Sequence, residues 1–371
     1  MIYLDWHALA PLSPEAAEAA RSALALANPA SVHGPGRQAA ATLEAVREQV
    51  ARCLGVAAEE IVLTSGGSES CILGLVGLAL GARADAVWLS PMEHPALHEA
   101  AAHLCERGIA VRAFPVSRSG VTTAAVEAAL RETPRCVICM QWVNHETGHI
   151  QPIEAVGALC AAAGVPLFVD AVQALGKVPT VTVPQGVSGL AMSGAKIGGA
   201  AGAGALWLSR CAAYREVWPG ASQERGRRPG SPGLASLAAM GAALGHLHRW
   251  QGAVSHLAEL HAYVADRVVN VGGVLNSPPG GAPTVVNVSF QGLRSDLLVT
   301  ALDLEGVAVS SGAACAAGSV RRSPVVAALY PDEPWRAESA IRISFGPDTT
   351  REALADALDK LSRVLARAPK H

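Results

Sequence analysis

An α/β fold with a mainly parallel sheet is predicted by three features of the sequence. Short apolar runs of strand length recur from about residue 13 to 250, amphipathic stretches of helical period separate them, and polar residues gather where the runs end. The runs that read as strands are Glu60–Thr64, Ala86–Ser90, Val111–Pro115, Cys136–Val143, Leu167–Asp170, Gly189–Ser193 and Ala203–Leu208, a sheet of seven. Ser68–Leu80, Pro95–Glu106 and Ile153–Ala163 carry helical patterns between them. After about residue 255 the order changes to a helix, a strand near Thr284–Phe290, another helix, a strand near Ala340–Ser344 and a closing helix from Thr350. The expected organisation is therefore a large domain over residues 13–255 and a smaller α+β domain made of residues 1–12 and 256–371. The segment PGASQERGRRPGSP, Pro219 to Pro232, has no periodicity and reads as a long functional loop.

With 371 residues, half of them hydrophobic, the chain is long enough to bury a core in each domain. A formal charge of -2 offers no field for a polyanion, so small molecules and proteins are the expected partners and nucleic acid is not. The opening MIYLDWHALAPLSPEA carries Asp5 and no basic stretch before an apolar run, unlike a signal peptide. The longest uncharged apolar run, Cys71 to Ala82, falls short of the roughly 20 residues that span a bilayer, so no membrane association is expected and the expected location is cytoplasmic. Eight scattered cysteines read as free thiols in a reducing compartment. Cys136 and Cys139 form a CxxC inside the apolar run RCVICMQWV, where packing is the expected role, and no metal site is expected. Cys315 differs, because the small residues of SSGAACAAGS predict a flexible, exposed loop.

Polar residues at strand ends are where open α/β sheets bind ligands. In IVLTSGGSES a strand leads through a Gly-Ser turn into a helix whose first N–H groups suit a phosphate. SPMEHPAL places His94 just past a strand, ready to stack on a flat ring or take a proton. LFVDAVQALGK ends a buried strand on Asp170 and follows it with Gln173; a desolvated carboxylate there needs a cationic partner such as a protonated pyridine nitrogen. MSGAKIGG sets Lys196 among small residues after a strand, a setting in which a lysine loses its proton and forms a Schiff base.

Taken in order, these segments resemble the class V aminotransferase family of fold-type I pyridoxal-phosphate (PLP) enzymes, and within it the group I cysteine desulfurases. The resemblance runs through YLDWHALAP, NPASVHGPGR, TSGGSES, MEHPA, VNHETG, VDAVQALGK, SGAKIGG, QERGRRPGS, SSGAACAAGS and SAIRISFG. It implies that PLP is held covalently by Lys196, paired through its ring nitrogen with Asp170, hydrogen-bonded at its ring hydroxyl by Gln173 and stacked on His94, which also relays protons. Gly67, Ser68 and Ser193 are then phosphate ligands, with Ser231 reaching the phosphate from the other subunit of a homodimer. Arg342, helped by Asn28, is the implied site for the substrate carboxylate. Cys315 is the implied nucleophile that takes sulfur from L-cysteine as a persulfide, for delivery to a protein acceptor such as an iron–sulfur scaffold. Arg321 and Arg322 in the same run would favour its thiolate or an acidic acceptor.

The chain departs from the family pattern at three places. Ala195 replaces the histidine before the cofactor lysine, His145 replaces the second asparagine of the VNNE segment and sets a titratable ring beside the cofactor, and Ala200 and Ala201 replace a Pro-Lys pair. A selenocysteine lyase or a cysteine β-lyase would share every PLP contact, but a β-lyase has no need of Cys315. A low-activity homologue acting as a sulfur-transfer scaffold is the reading from another class, and Lys196, Asp170, Arg342 and Cys315 speak against it.

Overall fold

The computed structural model describes residues 1–179, 181–220, 222–311 and 322–367. In chain order the first part runs β1 (Ile2–Tyr3), α1 (Pro14–Ala23), α2 (Gly34–Leu54), β2 (Ile61–Thr64), α3 (Gly67–Gly81), β3 (Ala86–Leu89), α4 (Pro95–Glu106), β4 (Ala110–Ala113), α5 (Thr123–Glu132), β5 (Cys136–Gln141), α6 (Ile153–Ala163), β6 (Leu167–Asp170), β7 (Val187–Ser193) and β8 (Gly204–Leu208). The second part runs α7 (Leu234–Gly245), α8 (His248–Gly252), α9 (Val254–Asn270), β9 (Val274–Leu275), β10 (Val285–Ser289), α10 (Ser295–Leu304), β11 (Val307–Ala308), β12 (Ser310–Ser311), α11 (Pro324–Leu329), α12 (Pro334–Ser339), β13 (Ala340–Ser344) and α13 (Arg351–Arg367).

Seven strands form the main sheet in the order β2-β8-β7-β6-β5-β3-β4. The pairs from β7 to β4 are parallel, while β8 runs antiparallel to both β7 and β2. The seven apolar runs account for all seven strands. β3, β5, β6 and β8 are buried at every position, as strands covered on both faces require. Cys136 and Cys139 lie in β5; burial lifts the Cys136 thiol to about 11 and Cys139 well above its usual range, so both stay protonated packing groups. A smaller antiparallel sheet, β12-β13-β10-β9, carries the C-terminal helices. α13 docks through Leu354, Ala357, Leu358, Leu361 and Val364, a single apolar stripe at helical spacing.

Two connections position the site. The N-terminal segment pairs β1 with β11, binds β13 through Ser344 N–H to Leu4 O, and reaches the large sheet through Ala10 N–H to Ala195 O. The aperiodic 219–232 segment is pinned from below. Glu224 accepts two hydrogen bonds from Arg47 (2.6 and 2.8 Å) and one from Leu63 N–H, and Arg228 pairs with Glu69 at 2.9 Å. Glu224 and Arg225 sit at φ of 48° and 58°, strain that these buried ion pairs offset. Among the described residues, no helix is long and apolar enough to cross a membrane.

Candidate active site

The C-terminal ends of β3, β5, β6 and β7 open onto a cavity of about 250 Å³, closed from the opposite side by Arg342 of β13 and the N-terminal segment at His7 and Ala8. At one wall the chain leaves β2, turns through Gly66 at φ of 153° and enters α3 at Gly67. A Cβ on Gly67 would stand 2.7 Å from Val172 Cγ2, so only glycine lets the helix start lie this close to the strand end. The first N–H groups of a 15-residue helix, with Ser68 and buried Ser193, make an anion-accepting corner. Ala195 lines the same cavity and contributes no polar group.

Asp170 ends β6 with its carboxylate buried, accepting from Val172 N–H at 2.9 Å and from the Cys71 thiol. Burial raises its pKa, which a cationic ligand beside it would reverse. Glu93 is also buried; burial and the nearby Asp170 carboxylate raise its pKa well above the usual carboxylate range, against a backbone hydrogen bond from Gln141. His94 caps α4, its Nδ1 accepting from Ala96 N–H at 3.2 Å, so the neutral ring carries its proton on Nε2. The His145 ring stands 5.4 Å away at 68°. Desolvation lowers the pKa of both rings, that of His145 strongly.

Lys196 closes a one-turn 3-10 helix after β7, and its Nζ donates to Ala8 O at 2.5 Å and His7 O at 3.1 Å. Arg342 pairs with Asp5 at 2.8 Å and donates to His145 O at 2.9 Å. Its Nε is buried and has no partner among the described residues. Gln173 donates from Nε2 to His7 O at 2.8 Å and accepts on Oε1 from Lys177 Nζ at 2.5 Å.

Gly67, Ser68, His94, His145, Asp170, Gln173, Ser193, Lys196 and Arg342 thus line one cavity, as the sequence reading expects. Asn28 and Ser231 do not. Both are exposed; the Asn28 side chain accepts from Ala30 N–H and the Ser231 carbonyl from Arg228. Cys315 and Arg321 lie outside the described residues, but the residues flanking that segment approach the site: Ser310 and Ser311 pair with Arg342 and Ile341, and Ser323 donates to Glu146 at 2.5 Å. Sequence reasoning missed His7 and Ala8, which act through main-chain carbonyls that no side-chain pattern reveals. It also missed Cys71 and Lys177, each four residues after an expected site residue, Gly67 and Gln173.

Residues 2–356 match the family model for Aminotransferase class-V. The chain belongs to the class-V aminotransferase family. It is 32% identical to a cysteine desulfurase IscS of Dictyoglomus turgidum over 99% of this chain and 95% of that one. It is 35% identical to a cysteine desulfurase of Cereibacter sphaeroides over 98% and 94%. Among solved structures, a NifS-like protein superposes with a TM-score of 0.91 at 27% identity, covering 99% of this chain and 100% of the other. Class-V aminotransferase family members of this fold are PLP enzymes, and the cavity fits that cofactor. It offers a glycine-only helix start for the phosphate, a buried carboxylate for the pyridinium, and a lysine amine in the same cavity.

The neutral histidines of this class-V site carry a stability signature. Because the folded pKa of His145 lies below its unfolded value, the unfolded chain takes up the proton first, and folding loses about 1.4 kcal/mol per pH unit as pH falls below about 6.5. His145→Asn is expected to remove this loss. Its melting temperature should then fall less than the parent's between pH 7.5 and 5.5; an unchanged difference between the two pH values would contradict the assignment.

Proposed function

We propose that the protein is a cysteine desulfurase, converting L-cysteine to L-alanine and passing the sulfur through Cys315 to an acceptor. The observation that carries this reading is the convergence of Lys196, Asp170 and Arg342 on one cavity, with full-length relatives named as desulfurases. PLP, when bound, supplies an electron sink at the substrate's α-carbon. In this reading the start of α3, Ser68 and Ser193 hold its phosphate, Asp170 its ring nitrogen, Gln173 its ring oxygen and His94 one ring face. Arg342 binds the substrate carboxylate, its guanidinium held in place by Asp5 and by His145 O. Lys196 moves the proton at the substrate α-carbon. The Cys315 thiolate attacks the substrate sulfur, the Cβ–S bond breaks as the S–S bond forms, and Cβ gains a proton to become the methyl group of alanine. Alanine and reductant-released sulfide, measured from L-cysteine with purified protein, test the reaction; no alanine would sink it.

The acceptor is proposed to be a protein such as an iron–sulfur scaffold. A homodimer belongs to the same reading, supported by Ser231, which is exposed and away from its own chain's cavity as a phosphate ligand for a neighbouring subunit would be; a fully active monomer in light scattering would count against it. A cytoplasmic, reducing setting fits the seven described cysteines, all unpaired. The division into residues 13–255 and residues 1–12 with 256–371 belongs to the same reading.

Ala195 leaves the phosphate one hydrogen bond short, a loss of about 1.5–3 kcal/mol, on the order of tenfold to a hundredfold in affinity. Protein purified without added PLP is therefore expected to be partly free of cofactor and to lose more during turnover, when Lys196 releases its covalent hold. Ala195→His should slow that loss. Equal PLP loss from both proteins, followed by dialysis during turnover, would remove the argument.

A further inference from the structure

The sequence contains four lysines, Lys177, Lys196, Lys360 and Lys370, in a chain whose other basic positions are arginine. Two of the four meet at the active site. Lys177 is 2% exposed, and its Nζ lies 2.5 Å from Gln173 Oε1, 3.4 Å from Lys196 O and 5.7 Å from the centre of a Trp250 ring. No role in the reaction falls to it. We propose that Lys177 is a positioning residue that holds the Gln173 amide with its N–H side toward the cofactor ring, an inference that rests on the reading of Gln173 as the ring-oxygen contact.

The argument starts from what each partner can do. A lysine amino group beside an amide donates to its oxygen, and a main-chain carbonyl accepts only from its nitrogen. Lys177 and His7 O therefore select the same one of two amide orientations, Oε1 toward Lys177 and Nε2 toward His7. Nε2 has two hydrogens, so one remains for an acceptor in the cavity that Gln173 lines. The His7 carbonyl fixes only the Nε2 side of the amide, and its second lone pair accepts from Lys196 Nζ at 3.1 Å, so Lys177 is the group that fixes the Oε1 side. Without Lys177, the buried Oε1 would lose its donor and turn toward another one, and the cavity side of the amide would change from donor to acceptor. As an ammonium Lys177 has donors only and so selects this orientation; burial, Lys196 and Arg342 push its pKa down, and in the neutral form one N–H still reaches Lys196 O at 3.4 Å while another stays directed at Oε1.

The test uses the full-length PLP-loaded protein and reads the pH midpoint of its visible absorption band, which a hydrogen bond to the ring oxygen sets independently of turnover. Gln173→Ala should move the midpoint upward by about one pH unit, the scale of one lost hydrogen bond. Lys177→Met, an unbranched apolar side chain of similar length, should move it in the same direction by a similar amount, and the double variant no further than Gln173→Ala alone. Lys177→Leu repeats the measurement in a second packing shape should the methionine protein not fold. A shift in Gln173→Ala with none in the Lys177 variants, or shifts that add in full, would overturn the positioning role while leaving Gln173 as a ring contact. No shift in Gln173→Ala would overturn both.

Discussion

Lys196→Ala is expected to leave a folded protein that retains no covalent cofactor and turns over cysteine at least about 10³–10⁴-fold more slowly, the scale of losing a positioned proton-transfer group together with its covalent role. The amine that is removed sits at the end of β7 within reach of the Ala8 and His7 carbonyls, inside the cavity that holds Asp170 and Arg342. Lys177, the neighbouring amine, points at Gln173 and does not replace it. Borohydride reduction followed by intact-mass measurement reads the result directly. A reduced PLP adduct in the alanine variant, on Lys177 or anywhere else, would refute the assignment.

Asp170→Asn carries the second large effect. The carboxylate is buried at the end of a strand, and removing one partner of a buried ion pair costs about 3–5 kcal/mol, or roughly two to four powers of ten in kcat/KM when that pair is made through the reaction. The asparagine side chain keeps the size and can still accept from Val172 N–H, so the loss belongs to the charge and not to the packing. Steady-state kinetics with cysteine at saturating PLP measure it, and a variant within tenfold of the parent would show that Asp170 faces no cation.

What the sequence reveals here depends on which atoms carry the information. Leu167–Asp170 and Pro95–Glu106 are read to the residue, because a buried strand ending on a carboxylate and a helix opening on His-Pro write their limits in side chains. Against the expected Val111–Pro115, the strand starts one residue early and ends two early, at Ala110–Ala113, since an edge strand with exposed positions has no continuous apolar run to mark its ends. β1, β9, β11 and β12 are two residues long, too short to show any period, yet two of them frame Arg342 and the N-terminal segment. Within the cavity, the side-chain groups were legible as strand-end polar residues. The carbonyls of His7 and Ala8 were not, because a main-chain oxygen is present at every position and only the fold selects these two.

That N-terminal segment has a consequence for the order in which the protein is made. Asp5 meets Arg342 across 337 positions, and Leu4 is hydrogen-bonded to Ser344 and Ala308. In synthesis the N-terminal segment therefore waits for residues made more than three hundred positions later before the cavity has its wall of carbonyls and its arginine. The parallel sheet can assemble during synthesis, but loop closure over more than three hundred residues follows only once β13 has been made. A cavity walled on every side therefore requires β13, and a nascent chain stalled before it holds Lys196 without Arg342.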